Sequence, residues 1–302
     1  MEPILDFHSL TCQLRSLQNR KRVAVVCPHD SHTEYVVMRS LQEGFADFLL
    51  VTNNPEEPVV KNIASHYPDN VKIYEADDAD LAAHKAVALV REGCADVLMK
   101  GTINTDNLLR AVLDKEHGLL EPGRVLSHVT VAEVPAYSKL LAFTDVAVIP
   151  RPTMEQFDAM LGYTVDVCRK LGVASPRVAL IHCTEKVSEK FPHTLCYEEL
   201  KHKAQSGNYG EVCVDGPMDV KTACDAESGR IKGICSPVVG NADILIFPNI
   251  ESGNVFYKTL TFFSHAEIAA MLCGTMAPVV VTSRADSGES KYNSLALACL
   301  VG

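Results

Sequence analysis

No apolar run in this 302-residue sequence is long enough to span a membrane. The opening stretch, MEPILDFHSLTCQLRSLQNRKR, lacks the basic-then-apolar order of a secretory signal. Together these absences set the expectation of a cytoplasmic protein with no membrane partner. Positive charge is also in short supply: 28 Lys and Arg against 38 Asp and Glu leave a formal net charge of -10. That balance argues against nucleic acid as a partner, though not against a local basic pocket for a phosphate.

Signature motifs are missing as well. There is no G-x-G-x-x-G, no G-x-x-x-x-G-K-[ST], no H-E-x-x-H and no G-x-S-x-G. Fingerprint dehydrogenases, P-loop enzymes, zincins and α/β-hydrolases all lose ground. The cysteines number eleven, an odd count, and no two lie within the few residues that zinc ligation favours. Even the evenly spaced Cys213, Cys224 and Cys235 read as coincidence. Most cysteines sit in apolar runs such as VAVVC and AAMLC, as small core residues of a reducing compartment.

What remains is an ordinary soluble composition, 47% hydrophobic and 22% charged, on a chain long enough for two domains. Short apolar runs alternate with amphipathic ones. RVAVVC (22–27), FLLVT (48–52), VKIYEA (71–76) and ADVLMK (95–100) read as strands, with helices between them. Strict alternation implies right-handed βαβ units and a parallel sheet covered on both faces. Near Ser127 the texture changes: HVTVAEVPAYSKLLAFTDVAVIP (128–150) holds two strand-like runs joined by Pro-Ala-Tyr-Ser, which predicts antiparallel pairing. Alternation then resumes with a helix (153–171), RVALIH (177–182), a helix near 195–206, DILIFP (243–248) and a helix (252–263). The expected division is residues 1–127 plus 277–302 for a first α/β domain and 128–276 for a second.

Three stretches share one design, a buried strand, a short polar loop and a helix start. In DVLMKGTINTDNLLRAVL, Lys100 ends the strand and Gly101, Thr102, Asn104 and Thr105 follow. In ILIFPNIESGNVFYKTL, Glu251, Ser252, Gly253 and Asn254 precede a helix carrying Lys258. In PVVVTSRADSGESKYNS, four polar residues, Ser283, Arg284, Asp286 and Ser287, stand where a strand gives way to the last helix. Ligands of open α/β sheets bind beyond the carboxyl ends of strands, where helix N-termini suit an anion. Each stretch also has a purely structural reading. Asp286 with Glu289 has the spacing of a capping box, and Thr105 and Asp106 can cap a helix. Lys100 is harder to explain that way, because a lysine ending a VLM run is costly to bury without an anionic partner. The planar fork of Arg284 suits bidentate phosphate binding or a salt bridge. His29 and His32, after the first strand, read as loop residues.

Taken together, ADVLMKGTINTDNLLRAVLDKEHGL (95–119), GRVLSHVTVAEVP (123–135), VDGP (214–217), KGICSPVVGNADILIFPNIESGNVFYKTL (232–260) and PVVVTSRADS (278–287) resemble the phosphate acetyltransferase and phosphate butyryltransferase family, closest to the butyryl branch. The resemblance implies a two-domain, three-layer α/β fold with a parallel or mixed sheet, similar to isocitrate and isopropylmalate dehydrogenases, with the active site in the interdomain cleft. It implies an acyltransferase moving a short acyl group, butyryl first, between coenzyme A and inorganic phosphate. Coenzyme A is then a substrate, with no permanently bound cofactor and no metal needed for the chemistry, and the protein is a homodimer or a higher homo-oligomer.

On the family's pattern, Ser283 steadies the developing oxyanion and Arg284 binds phosphate. Asp286 is the candidate base, with Glu289 as its competitor. Lys100, Gly101, Thr102, Thr105 and Ser127 fall in the phosphate and substrate set, and Glu251, Asn254 and Lys258 in the coenzyme path. Two stretches depart from the butyryl branch. Ile149 replaces an Asn and Arg151 is added in DVAVIPRPTM, and Lys221 stands where an Asp is usual; both bear on acyl specificity more than on transfer. Two other classes compete: an isopropylmalate-dehydrogenase-type oxidoreductase, whose carboxylate cluster the sequence lacks, and a ligand-binding homologue without turnover.

Overall fold

The computed structural model describes residues 2–17, 19–282 and 286–302. It divides into two compact units, one of Met1–Phe7 with Ser127–Ile268 and the other of His8–Leu126 with Ala269–Gly302.

After helix α1 (Phe7–Ser16), the chain alternates as β1 (Lys21–Val26), α2 (Ser31–Glu43), β2 (Ala46–Thr52), α3 (Pro58–His66), β3 (Val71–Glu75), α4 (Ala79–Arg91), β4 (Val97–Lys100) and α5 (Thr105–Val112). Their boundaries follow local chemistry. Asp30 caps α2 by accepting from the Thr33 amide, and Gly44 closes it in the left-handed conformation at φ 80°. Asp78 caps α4 in the same way. Pro58 opens α3, where its fixed φ suits a first turn and its missing N–H costs nothing.

β1 is flanked by β2 and β4, and β3 adds beyond β2; every one of these pairs is parallel. Val23 to Val26, Phe48, Leu50 and Val97 to Met99 are fully buried. Strands covered on both faces need such continuous apolar runs.

The middle of the chain forms the other unit. β5 (Ser127–Glu133) pairs antiparallel with β6 (Leu141–Thr144), the expected exception to the parallel pattern. Next come α6 (Met154–Lys170), β7 (Arg177–Ile181), α7 (His193–Gln205), β8 (Cys213–Met218), α8 (Val220–Cys224), α9 (Ala226–Lys232), β9 (Ile244–Ile246) and α10 (Ile250–Phe263). The strands lie in the order β5-β6-β9-β7-β8, and the pairs after the first are parallel. α6 opens on a complete capping box between Thr153 and Gln156. Its Phe157 packs edge-on against the buried Tyr197 of α7, 5.6 Å between ring centroids. The N-terminal segment belongs here: the Ile4 amide donates to Leu171 O and the Phe7 amide to Glu133.

The chain then returns. β10 (Glu267–Cys273) turns back as β11 (Val279–Val280), antiparallel to it, and α11 (Gly288–Val301) follows. β11 lies parallel beside β4, with Val279 opposite Leu98 and Val280 opposite Met99. α11 is buried from Lys291 to Cys299 on all sides, as expected of a helix without a polar face. Tyr292 meets Phe45 edge-on at 6.0 Å, and the Arg39 guanidinium stacks 3.8 Å from the Tyr292 ring centre.

The α/β class and the mixed sheet are as the sequence predicts. All eleven cysteines are free, but only Cys27, Cys168 and Cys299 are buried; four are exposed and four intermediate. The expectation that most are core residues is corrected, because an apolar run in sequence does not by itself place a side chain in the core. Burial pushes the thiol of Cys27 up to about 11, against a hydrogen bond with Asn53 that lowers it, so it behaves as a core residue. Among the described residues, no helix is long and apolar enough to cross a membrane.

Candidate active site

The carboxyl edge of the β1–β4 pair carries the first group of candidates. Lys100 ends β4 in register with Val26 and is 4% exposed; its Nζ donates to Gly101 O at 3.3 Å. The next two residues fold over the end of β1. The Gly101 amide donates to Val26 O (2.9 Å), and Thr102 donates to Cys27 O through both its amide (2.9 Å) and its hydroxyl (3.0 Å).

This approach explains the glycine. A Cβ on Gly101 would stand 2.3 Å from Cys27 O and 2.5 Å from Val26 O, closer than any side chain tolerates. Asn104, not Thr105 or Asp106, is the N-cap of α5, and its side chain makes no capping hydrogen bond. Thr105 is an exposed first-turn residue. The expected cap is therefore corrected by one position, because three adjacent residues of NTD are all competent caps.

The second group follows β11. Because β11 is parallel to β4, the chain leaves both strands at the same sheet edge, and the buried Thr282 continues from β11. Ser283 and Arg284 lie outside the described residues. Beyond them, Ser287 is the N-cap of α11, accepting from the Ser290 amide at 3.1 Å. The capping box expected of Asp286 and Glu289 does not form. Glu289 instead accepts from Tyr35 Oη (2.9 Å) and Arg39 Nη1 (2.7 Å). That contact helps hold the Arg39 guanidinium firmly protonated against the cost of its burial. Asp286 is half-buried and stands just before the cap.

Across this edge runs the loop after β1. Its His29 Nε2 lies 2.7 Å from Thr52 Oγ1, and burial lowers that imidazole's pKa. Burial alone would raise the Asp30 carboxyl, but hydrogen bonds from the Thr33 hydroxyl and amide, with the Lys291 charge, hold it below the usual range.

The remaining candidates belong to the other unit and are described separately. Ser127 is fully buried, and its hydroxyl is held by Asp145 Oδ2 (3.0 Å) and Thr144 Oγ1 (3.1 Å). Asp145 also accepts from the His128 amide on Oδ2 and from the Ala147 and Val148 amides on Oδ1, each at 2.8 Å. This carboxylate escaped the sequence reading, since nothing in FTDVAV marks it as a hub. It also sets the position of α10: Gly253 packs where a Cβ would stand 2.3 Å from Asp145 O, and Asn254 Nδ2 donates to Val146 O at 3.1 Å. Asn254 thus anchors its helix, while Glu251 and Lys258 are exposed on it.

Replacing Asp145 with Asn is expected to cost about 2 kcal/mol, because the amide NH₂ must face N–H donors whichever way it turns. Denaturant unfolding checks this, and an unchanged midpoint would count against the hub. Ile149 is buried, whereas Arg151 and Lys221 are exposed. Among the described residues, no three His, Cys, Asp or Glu side chains gather as a metal would need.

Residues 76–299 match the family described as phosphate acetyl/butaryl transferase. The chain belongs to this family. The matched residues take in α4, β4 and the loops after β4, β9 and β11, so every candidate named above lies within the transferase match. The phosphate butyryltransferase of Clostridium acetobutylicum is 38% identical over 99% of this chain and 98% of its own. The phosphate acetyltransferase of Thermotoga maritima is 36% identical over 93% and 95%. A branched-chain phosphotransacylase from Enterococcus faecalis, known as a crystal structure, is 33% identical with a TM-score of 0.81, covering 93% of this chain and 99% of that one. This transferase is therefore an enzyme of acyl transfer with the fold of the phosphotransacylases.

Proposed function

We propose that this transferase moves a short acyl group, butyryl in the first instance, between coenzyme A and inorganic phosphate. Buried Lys100 carries this reading, at the one sheet edge that β4 and β11 share. A lysine ammonium at that edge suits the oxygens of a phosphate. The 38% identity to a phosphate butyryltransferase supports the acyl group, and the branched-chain relative adds isobutyryl as a substrate to test.

Starting from the acyl phosphate, Asp286 takes the thiol proton of coenzyme A. The thiolate attacks the carbonyl carbon, the bond from that carbon to the phosphate oxygen breaks, and phosphate leaves. Ser283 donates to the carbonyl oxygen as charge builds on it. Arg284, Lys100 and Thr102 hold the phosphoryl oxygens. The pairing of Glu289 with Arg39 and Tyr35 supports Asp286 over Glu289 as the base. Neither a metal nor a covalent acyl-enzyme is part of this scheme.

Phosphate-dependent thiol release from acetyl-, propionyl-, butyryl- and isobutyryl-CoA is the direct test. No release with any of the four overturns the proposal, and the best substrate names the acyl pocket. In the same assay Arg284→Ala should chiefly raise the KM for phosphate, by about 10- to 100-fold, as expected for loss of a charge-assisted bidentate contact. An unchanged phosphate KM would remove Arg284 from the site.

A further inference from the structure

Lys291 stands one turn into α11, inside a helix buried on all sides, and is 6% exposed. Among the described residues its ionic partner is Asp30, with Nζ 3.7 Å from Oδ1. That is an electrostatic contact beyond hydrogen-bond length. Asp30 is already committed as the cap of α2, where Oδ1 accepts from the Thr33 amide at 2.9 Å and Oδ2 from the Thr33 hydroxyl at 2.6 Å. An ammonium taken out of water is costly unless it is both paired and hydrogen-bonded. Among the described residues no water-excluded side-chain nitrogen lacks a hydrogen-bond partner, so Nζ, with only this one long contact, keeps donors open at the surface of the site.

The location points to what meets those donors. Helical side chains lean toward the helix N-terminus, so Lys291 reaches back over the turn that Ser287 caps. Its Nζ comes to rest against Asp30, at the end of the loop that leaves β1. Three residues earlier in that loop, Cys27 O receives both hydrogen bonds of Thr102, which itself follows Lys100. Lys291 therefore stands on the carboxyl edge of the β1–β4 pair, where Lys100 also ends. The negative charge of Asp30 is offset there by the α2 N-terminus it caps and by Lys291 itself.

We propose that Lys291 is a further anion-binding residue of the transferase, and that its N–H donors not used by Asp30 bind the phosphate that is transferred. Asp30 then acts as a positioning residue that holds the ammonium in place. The assignment rests on the reading under Proposed function, and it names a second lysine for the phosphoryl group.

The variants are Lys291→Met, which keeps length and apolar stem, Lys291→Gln as a second neutral form, and Asp30→Asn. Three readouts apply: steady-state KM for phosphate and for acyl-CoA, kcat, and the rise in Tm produced by saturating inorganic phosphate. Whichever neutral variant folds should raise the phosphate KM about 10- to 100-fold, the loss of one charged hydrogen-bond donor, with the acyl-CoA KM little changed. It should also shrink the phosphate-induced rise in Tm.

A purely structural ion pair gives a different outcome. Lys291→Met and Asp30→Asn would lower the Tm alike and leave the phosphate KM unchanged, which overturns the proposal. A rise confined to the acyl-CoA KM would overturn it too, placing Lys291 on the coenzyme's phosphates. If the wild-type protein shows no phosphate-dependent release, the transferase reading fails on its own. The Tm response to phosphate, compared between wild type and Lys291→Met, then still decides whether Lys291 binds the anion.

Discussion

Ser283→Ala is expected to lower kcat by about 100- to 1000-fold while leaving the KM for phosphate near its wild-type value. The direct attack proposed for this chain develops negative charge on the carbonyl oxygen, and a hydroxyl donor there gains strength only as that charge forms. Removing such a donor is therefore felt in the chemical step and hardly at all in ground-state binding. The same reasoning separates it from Arg284, whose contact with phosphate exists before the reaction begins. A nucleophilic serine would behave otherwise, since it would accumulate an acyl-enzyme and give ping-pong kinetics. Steady-state kinetics with both substrates varied decides between them. An unchanged kcat in Ser283→Ala would end the oxyanion role, and parallel lines in the double-reciprocal plots would end direct attack.

Gly101→Ala is expected to cost about 3–4 kcal/mol and to reduce kcat/KM by about 100-fold. The added methyl group meets two carbonyl oxygens, those of Val26 and Cys27, and not the end of a movable side chain. Relief requires the β4–α5 loop to lift away from β1, breaking the amide bonds of Gly101 and Thr102 to those same carbonyls. Lys100 and Thr102 move with it, and a misplacement of about 1 Å in groups proposed to hold a phosphate is enough for an effect of that size. Thermal unfolding and steady-state kinetics check both parts. Wild-type stability together with wild-type kcat/KM would mean that the loop does not need this close approach.

Most strands legible in the sequence have both faces covered, β3 being the mostly exposed exception. RVAVVC and FLLVT announce themselves because burial on two sides leaves no polar alternation to confuse with a helix. β8 was missed because its CVDGPM carries Gly216 and Pro217, residues that argue against a strand. Gly216 is there because a Cβ would stand 2.6 Å from Leu180 O on the neighbouring β7. β10 was missed for the opposite reason: EIAAMLC is rich in helix formers, and tertiary pairing overrides that preference.

In the candidate site, Lys100 and Gly101 could be picked out by type and position at the end of a strand. The capping residues came out one place off, at Asn104 and Ser287, where adjacent residues of equal capping ability leave the choice to backbone geometry. Ser127 enters through the family resemblance and Asn254 as a polar residue of a strand-end loop, yet their partners, Asp145 and Val146, lie 18 and 108 residues away in the chain. Local pattern carries no record of such partners. Lys291 is marked in the sequence itself, as the single basic residue of ESKYNSLALACL, within a helix that has no polar face.

The pairing of β11 with β4 also has a consequence for the order in which the protein is made. Leu98 leaves the ribosome first, whereas its neighbour Val279 follows only after the whole of Ser127–Ile268 has been synthesised. The middle unit has all of its own strands by then and can fold while the nascent chain still grows. The flanking unit has to wait with the β4 side of its sheet unpaired, since β11 and α11 are made only after the middle unit. Closing so long a loop adds little entropy penalty beyond that of a shorter one. It does postpone the pairing of β4 with β11, so the sheet edge that carries Lys100 is completed only after the middle unit has been synthesised.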